Sequence, residues 1–448
     1  MRRDLVLPAI AGAAIVTLAL AYATCAERYG GAWPTVIAYA ALTLAGLGGV
    51  ALAWRRDDVP LVAIVLGTGA LARLVLVPFA PLHSLDAYRY LWDGAVLRAG
   101  LDPYALRPDA PALAALRAAA PWLYAHIDWT FVPTLYPPLD LALFALAAAF
   151  GLHALTATKL IMLAGDVASL AAVTAGLCRA RLPRGRIALA AWSALAITEF
   201  GLEGHEEGWA IAGIVLAIVA VRERSRTFAA VALTEATLTK LYPLALVPAL
   251  FARRRDLPAA AIVALLIAVA YVPFYAADPR VFGFLRRFAT GYTYNASLRL
   301  VLGSAGAALA FGCVLVAAFV ARRREAPALV PALGVVLAYL LLAANVYPWY
   351  LTVLLALLPL APGRGAFAGP LAPLGLGLLG WTVLAPLAYV DTFVYAPWTL
   401  GDRIAHAAEY APPALAALVY AGRPRVALAA LRAALRGDPD PGGSEAHG

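Results

Sequence analysis

The chain has 448 residues, of which 63% are hydrophobic and 14% charged, against about 45–50% apolar in an ordinary soluble protein. Its formal net charge is +9. This balance excludes a soluble enzyme, a disordered scaffold and a disulfide-rich secreted domain, because a spanning helix needs about 20 mostly apolar residues and such runs recur along the chain.

In chain order, candidate membrane segments fall at 5–25, 35–54 and 59–80. The opening Met1-Arg2-Arg3-Asp4 before an apolar run has the letters of a signal peptide. The run is long and further spans follow, so an uncleaved first helix is expected. Residues 81–136 then form a loop far beyond the usual handful of positions, rich in Trp, Tyr, Pro and Asp, with short amphipathic juxtamembrane helices expected between Pro111 and Ala125. Further segments follow at 157–178, 187–200, 209–221, 257–276, 300–321, 326–344, 349–362, 368–390 and 410–422. Residues 138–154 are apolar but short, and 227–251 is interrupted by Lys240-Leu241-Tyr242-Pro243. The expected fold is all-α, a polytopic transmembrane helical bundle of about twelve crossings, forming a single integral membrane domain over 1–436. Residues 426–436 suit an interfacial helix, and 437–448 read as a disordered cytoplasmic tail.

Arginine comes in bursts between apolar runs, at Arg2-Arg3, Arg55-Arg56, Arg179–Arg186, Arg222–Arg226, Arg253–Arg255, Arg322–Arg324 and Arg423–Arg425. The positive-inside bias places these loops in the cytoplasm, with both termini. Residues 138–154 and 227–251 must then re-enter or pair, which backbone tolerates only where protein or a wet cavity surrounds it. If 138–154 spans instead, the 179–186 cluster lies outside, and the sequence leaves both arrangements open. Spread between spans in this way, the positive charge excludes nucleic acid as a partner. Cys25, Cys178 and Cys313 have no metal-like spacing and read as small hydrophobes. Heavy use of Ala and Arg, with lysine only at 159 and 240, points to a GC-rich bacterial genome.

Chemically versatile residues collect on the other face. They are Asp86, Arg89, Asp93, Tyr136, Glu199, His205, Glu206, Asn295, Tyr347 to Tyr350, Asp391, Arg403 and Glu409, with Lys240 pointing there too. Ionisable groups at membrane depth are costly and mark function by default. Asp86, Tyr90 and Asp93 share one helix face by spacing. Arg89, three residues from Asp86, is close enough to pair with it and lower its pKa. A carboxylate at a cavity mouth suits proton removal from an attacking hydroxyl; a capping or salt-bridged aspartate is the plain alternative. His205 sits among Glu203, Glu206 and Glu207 without HExxH or paired-histidine spacing, so a polar turn and no metal are expected. Lys240 needs an anionic partner, either a phosphate or a protein carboxylate. The GLGLLG of 375–380 has no preceding strand and reads as helix packing. Asn295-Ala296-Ser297 is a glycosylation sequon by letter only.

DAYRYLWDGAVLRAGLDPYALRPD at 86–109, followed by TLYPPLDLALF at 134–144, resembles the first outer loop of GT-C glycosyltransferases. It is similar to that of bacterial polyprenyl-phosphate-mannose-dependent mannosyltransferases and of the glycosylphosphatidylinositol mannosyltransferase I group. Matching residues continue in order: Lys159 and Asp166, Glu199 with Gly204-His205-Glu206, Lys240 to Pro243, Asn295, Pro348-Trp349-Tyr350, and Glu409-Tyr410. The resemblance runs over about residues 60–422. It implies a GT-C bundle whose 81–136 loop is catalytic, taking a polyprenyl-phosphate sugar donor from the outer leaflet among membrane lipids. A hexose, mannose by this likeness, would pass with inversion to an outer-face lipid or glycan acceptor. Asp86 would be the general base, with Asp93 the fallback. Arg89, His205, Glu206, Lys240, Tyr242 and Arg403 would hold donor phosphate and sugar. Tyr136, Glu199, Asn295, Tyr347, Trp349 and Glu409 would shape the loops or the acceptor side. No cofactor is expected; some GT-C enzymes use a divalent cation and the lipid-mannose users work without one, so the likeness favours no metal while leaving a divalent ion open. The site would face the periplasm from a bacterial inner membrane.

Two departures stand out. Tyr347 replaces the His that related sequences carry before Pro-Trp-Tyr. Three helices precede the Asp86 loop where the minimal plan has one, so 1–58 reads as an added amino-terminal hairpin. The competing class is a transporter or flippase for a lipid-linked sugar. Against it stand the absent internal symmetry and charges gathered on one side rather than at the midplane.

Overall fold

Backbone polar groups in a bilayer must be satisfied within their own segment, which leaves long apolar runs one solution, the helix. The computed structural model describes residues 3–362, 366–389, 400–425 and 427–428. Among these no β-strand forms, and one isolated bridge pairs Tyr294 with Asn345. The protein is an all-α polytopic membrane protein. Six helical stretches among the described residues are long and apolar enough to cross a membrane: Val6–Tyr29, Trp33–Ala53, Gly151–Ala180, Arg254–Ala277, Leu298–Arg323 and Ala372–Tyr389. Shorter apolar helices add Val59–Leu74, Pro138–Ala148, Leu329–Leu342 and Pro348–Leu360.

We number the principal helices α1 (Val6–Tyr29), α2 (Trp33–Ala53), α3 (Val59–Leu74), α4 (Asp86–Arg98), α5 (Pro138–Ala148), α6 (Ala154–Ala180), α7 (Glu207–Arg222), α8 (Arg226–Thr239), α9 (Leu257–Ala277), α10 (Gly283–Gly291), α11 (Leu298–Arg323), α12 (Leu329–Leu342), α13 (Thr352–Leu357), α14 (Ala372–Leu384) and α15 (Leu400–Gly422). The first two form a hairpin that packs against α3. The long loop holds α4, buried along most of its length and packed on α5. Short turns at Pro111–Leu113, Ala114–Ala119 and Pro121–Tyr124 follow, and Leu113 and Leu123 close over Trp92 and Leu91.

The expected span at 187–200 is not one helix. It is broken into Arg184–Ile187, Ala188–Ala191, Ala194–Ile197 and a wider π turn at Thr198–Glu203, all buried beyond Arg184. A break exposes carbonyls that a helix would have satisfied. Arg73 of α3 answers them, donating to Ala191 (2.7 Å) and Ala190 (3.0 Å) while pairing with Asp166 of α6. The interruption in 227–251 is as the sequence spells it. Helix α8 stops before Lys240, which is extended (φ −149°, ψ 131°), and short turns resume at Tyr242.

The GLGLLG stretch lies on α14 and serves packing. A Cβ on Gly377 would sit 2.8 Å from the Pro412 carbonyl oxygen and 2.7 Å from Ala416 of α15. Asp391, the 437–448 tail and nearly all of 426–436 lie outside the described residues.

Candidate active site

A cavity of about 460 Å³ opens between the long loop, Lys240, α10 and the aromatic turn at 347–350. Its making starts with Glu203, at the end of the π turn and 1% exposed. That carboxylate accepts the backbone N–H groups of Leu82, His83 and Ser84 at 3.1–3.3 Å. Three amides on one anion fix the chain immediately before α4. The Asp86 N–H then donates to Ser84 Oγ (3.1 Å), and Asp86, the first residue of α4, turns its carboxylate into the cavity.

The Asp86 side chain is 34% exposed, and its Oδ2 lies 3.9 Å from His205 Nδ1. Burial pushes its carboxyl up to about 7, with the Glu206 charge adding and Lys240 and Arg89 opposing. The lowering expected from an Arg89 partnership is therefore reversed. Arg89 instead pairs with Asp93 (Nε to Oδ1, 2.9 Å) and donates to the carbonyls of Trp129 (3.2 Å) and Val132 (3.1 Å). These carbonyls draw the guanidinium toward the far end of the loop. Asp93 is 2% exposed, and burial raises its carboxyl despite Arg89. It is not part of the cavity wall, whereas Arg89 is.

Gly204 adopts a left-handed turn (φ +77°) with Lys159 Cγ only 3.0 Å from where a Cβ would stand. The turn releases His205 from the π segment. Its ring is fully buried and stacks on Trp349 at 3.8 Å. Nε2 lies 3.3 Å from Glu199 Oε2, and Nδ1 lies 3.5 Å from the Tyr90 hydroxyl. That hydroxyl donates to Glu206. Lys240 donates to both Glu206 and Glu207 and lies 4.7 Å over the Tyr350 ring, so of the two partners open to it the fold supplies carboxylates. Its side chain still lines the cavity.

Aromatic rings build the remaining wall. Tyr294 stacks on Tyr347 (4.5 Å) and Tyr347 on Trp349 (4.6 Å), continuing the His205 stack. Opposite, His83 stacks on Tyr389 at 4.3 Å, and burial lowers the His83 pKa to about 4, which keeps that ring neutral. Tyr389 donates to Glu199 (2.8 and 2.9 Å). Tyr136 lines the cavity, edge-on to Tyr90.

Four expected site residues stand apart from this wall. Tyr242 stacks on Tyr339 at 4.6 Å. Asn295 and Glu409 brace the structure behind it: the Asn295 amide donates to both Glu409 oxygens (3.0 and 2.9 Å), and the Trp381 indole N–H adds a third hydrogen bond (3.3 Å). Arg403 is exposed on α15. Conversely, Glu203, His83, Ser84, Tyr294, Tyr389, Phe284 and Phe288 join the site beyond the residues that the sequence points to. Glu203 had a usable signal, an acid at membrane depth. Tyr389, in an apolar run, had none.

His205, Glu206 and Glu207 place ligand-type atoms within 4.8 Å of one another. The Lys240 ammonium already bridges the two glutamates, so a divalent ion would have to displace it. The assembled groups can take a proton, at Asp86, and answer developing negative charge, at Lys240, both on the wall of one cavity.

Against known proteins, the sequence profile of a family described as "Alpha-(1->6)-mannopyranosyltransferase, N-terminal domain" matches residues 6–254. The matched stretch begins in α1, includes the first hairpin, and carries Asp86, His205 and Lys240. Comparison with curated proteins and with solved structures gives no match.

Proposed function

The chain belongs to the alpha-(1→6)-mannopyranosyltransferase family, and from that premise we propose that it moves mannose from a polyprenyl-phosphate donor to a lipid or glycan hydroxyl at the outer face of the membrane. It is a glycosyltransferase of mannosyl-transfer type in a multi-pass membrane fold; the donor, the orientation and the residue roles are our reading. One observation carries it: Asp86, its carboxyl raised to about 7, faces the same cavity as Lys240.

In the proposed step the acceptor oxygen attacks the anomeric carbon and gives its proton to the Asp86 carboxylate. The new carbon–oxygen bond forms as the bond to phosphate breaks, and that electron pair leaves with polyprenyl phosphate. Lys240 meets the charge that grows there, where a fixed cation is worth most. The cavity aromatics hold the sugar in line, since position alone supplies much of the barrier reduction. A single displacement inverts the anomeric centre, so the alpha product in the family's description calls for a beta-linked donor.

The test uses purified protein in detergent with radiolabelled polyprenyl-phosphate mannose and an extracted lipid acceptor pool. Wild type should move label to a new lipid or glycan, and Asp86→Asn should lose about 10²–10⁴-fold of that rate. Undiminished transfer by Asp86→Asn overturns the base assignment and leaves Asp93 to be tested. No transfer from this donor overturns the donor assignment.

A further inference from the structure

Helices α7 and α8 lie antiparallel. Glu207 and Lys240 at one end meet in the candidate active site, and Arg222 and Arg226 at the other end line a second cavity. The 16 residues of α7 separate these ends by about 24 Å at 1.5 Å per residue. This second cavity measures about 900 Å³, roughly twice the first.

Its chemistry is lopsided, with eight arginines and two carboxylates on the wall. Four of the arginines are engaged. Arg226 pairs with Asp256 (2.7 Å), Arg253 with Glu325 (3.1 Å) and Arg179 with Glu223 (3.3 Å), and Arg322 donates to the carbonyls of Leu250 and Ala326. The other four, Arg181, Arg222, Arg224 and Arg255, have no side-chain hydrogen bond or ion pair among the described residues. They come from three separate loops, so no single helix end accounts for them.

Two further features fit a ligand. Arg181 (φ +56°), Arg224 (φ +61°) and Glu325 (φ +72°) are left-handed where helices α6, α7 and α11 end, positions at which glycine is the usual residue. Longer side chains are thus kept around this cavity against backbone preference. The remaining wall is apolar, with Ile218, Val219, Leu250, Leu329 and Leu360. A basic rim over an apolar wall suits an amphiphile better than a soluble anion. The positive-inside bias puts this face toward the cytoplasm, where basic pockets between helices take lipid head groups.

We propose that this cavity seats the phosphodiester head group of an anionic phospholipid from the inner leaflet. Arg181, Arg222, Arg224 and Arg255 hold the phosphate oxygens through guanidinium forks, and the apolar wall takes the first acyl carbons. The site is separate from the transfer reaction and does not depend on it.

Native mass spectrometry of the full chain tests this, titrating phosphatidylglycerol, phosphatidylcholine or inorganic pyrophosphate. Phosphatidylglycerol should bind about tenfold or more tightly than phosphatidylcholine, and pyrophosphate should not displace it. Arg222→Gln/Arg224→Gln should weaken phosphatidylglycerol at least tenfold, and adding Arg181→Gln/Arg255→Gln should abolish the preference. These side chains have no described partner to lose, and size-exclusion profile and helical content check the fold of each variant. The control, Arg254→Gln/Arg324→Gln, removes exposed charges outside the cavity and should leave binding unchanged. Equal loss in the control, equal binding of phosphatidylcholine, or displacement by pyrophosphate would each overturn the assignment, the last in favour of a soluble phosphate.

Discussion

The pH dependence of mannosyl transfer interrogates Asp86 directly. A general base must be ionised to accept a proton, and burial with the neighbouring Glu206 charge raises this carboxyl to about 7. Roughly a tenth of it is ionised one unit below that value and nine tenths one unit above. The rate at limiting substrate should therefore climb about tenfold between pH 6 and pH 8, where an ordinary carboxylate gives a flat line. Two substitutions move the midpoint in opposite directions. Glu206→Gln removes a charge that raises the Asp86 pKa and shifts the limb to lower pH; Lys240→Met removes one that lowers it and shifts the limb up. Stability follows the same group with its own sign. The fold prefers the neutral acid, so this contribution is complete below the ordinary carboxylate range and is lost as pH rises through about 7. Transfer of labelled mannose to the acceptor at limiting donor, measured across neutral pH for the three proteins, reads the limb. A profile flat between pH 6 and pH 8, or a midpoint that neither substitution moves, refutes the reasoning.

Other consequences are structural or concern binding. Arg73→Met strands Asp166 and two carbonyls in the core and should cost about 3–5 kcal/mol in detergent unfolding. Arg73→Met/Asp166→Leu should recover only part of this, because the Ala190 and Ala191 carbonyls remain unsatisfied; full recovery would mean that Arg73 does not hold the break. Glu203→Gln turns an amide group toward three N–H donors, at about 1–3 kcal/mol. It should reduce kcat more than it raises KM, since it displaces Asp86 rather than the donor site, and an unchanged kcat counts against that. Glu207→Gln should tighten donor binding about fivefold, roughly 1 kcal/mol, read by equilibrium binding of labelled donor; weaker binding would show that Glu207 supports the phosphate contact instead of competing with it.

What the sequence made legible was polar chemistry standing out against an apolar ground. The Asp86 loop, the Lys240 interruption and the GLGLLG packing all announce themselves this way. Spacing could not say which acid takes Arg89, because Asp86 at i−3 and Asp93 at i+4 are both within reach. The carbonyls of Trp129 and Val132 decide it, some forty residues away. The broken 184–203 run was illegible for a different reason: its letters are those of a span, and the guanidinium that makes the break tolerable lies on α3. Glu199 likewise finds its donor in Tyr389, 190 positions along the chain, a pairing no local pattern encodes.

Charge balance in the cavity carries the mechanism one step further. Among the described residues that line it, Arg89 and Lys240 are the cationic ones, and Arg89 is committed to Asp93. On the proposed reaction the donor phosphate must therefore look to Lys240, which already neutralises one of two glutamates. A phosphate arriving there meets an ammonium outnumbered by carboxylates, and binding is favourable only as one carboxylate gains a proton or the ammonium turns away from it. Glu207 is the group placed to take that proton, since its Oε2 is buried with no hydrogen-bond partner among the described residues, whereas Glu206 already accepts from Tyr90. Glu207→Gln imitates the protonated state, which is why it should favour the donor. The arrangement also keeps ground-state attraction modest while leaving the ammonium to answer the charge that develops as the phosphate departs. An interaction that grows along the reaction in this way raises kcat rather than merely lowering KM.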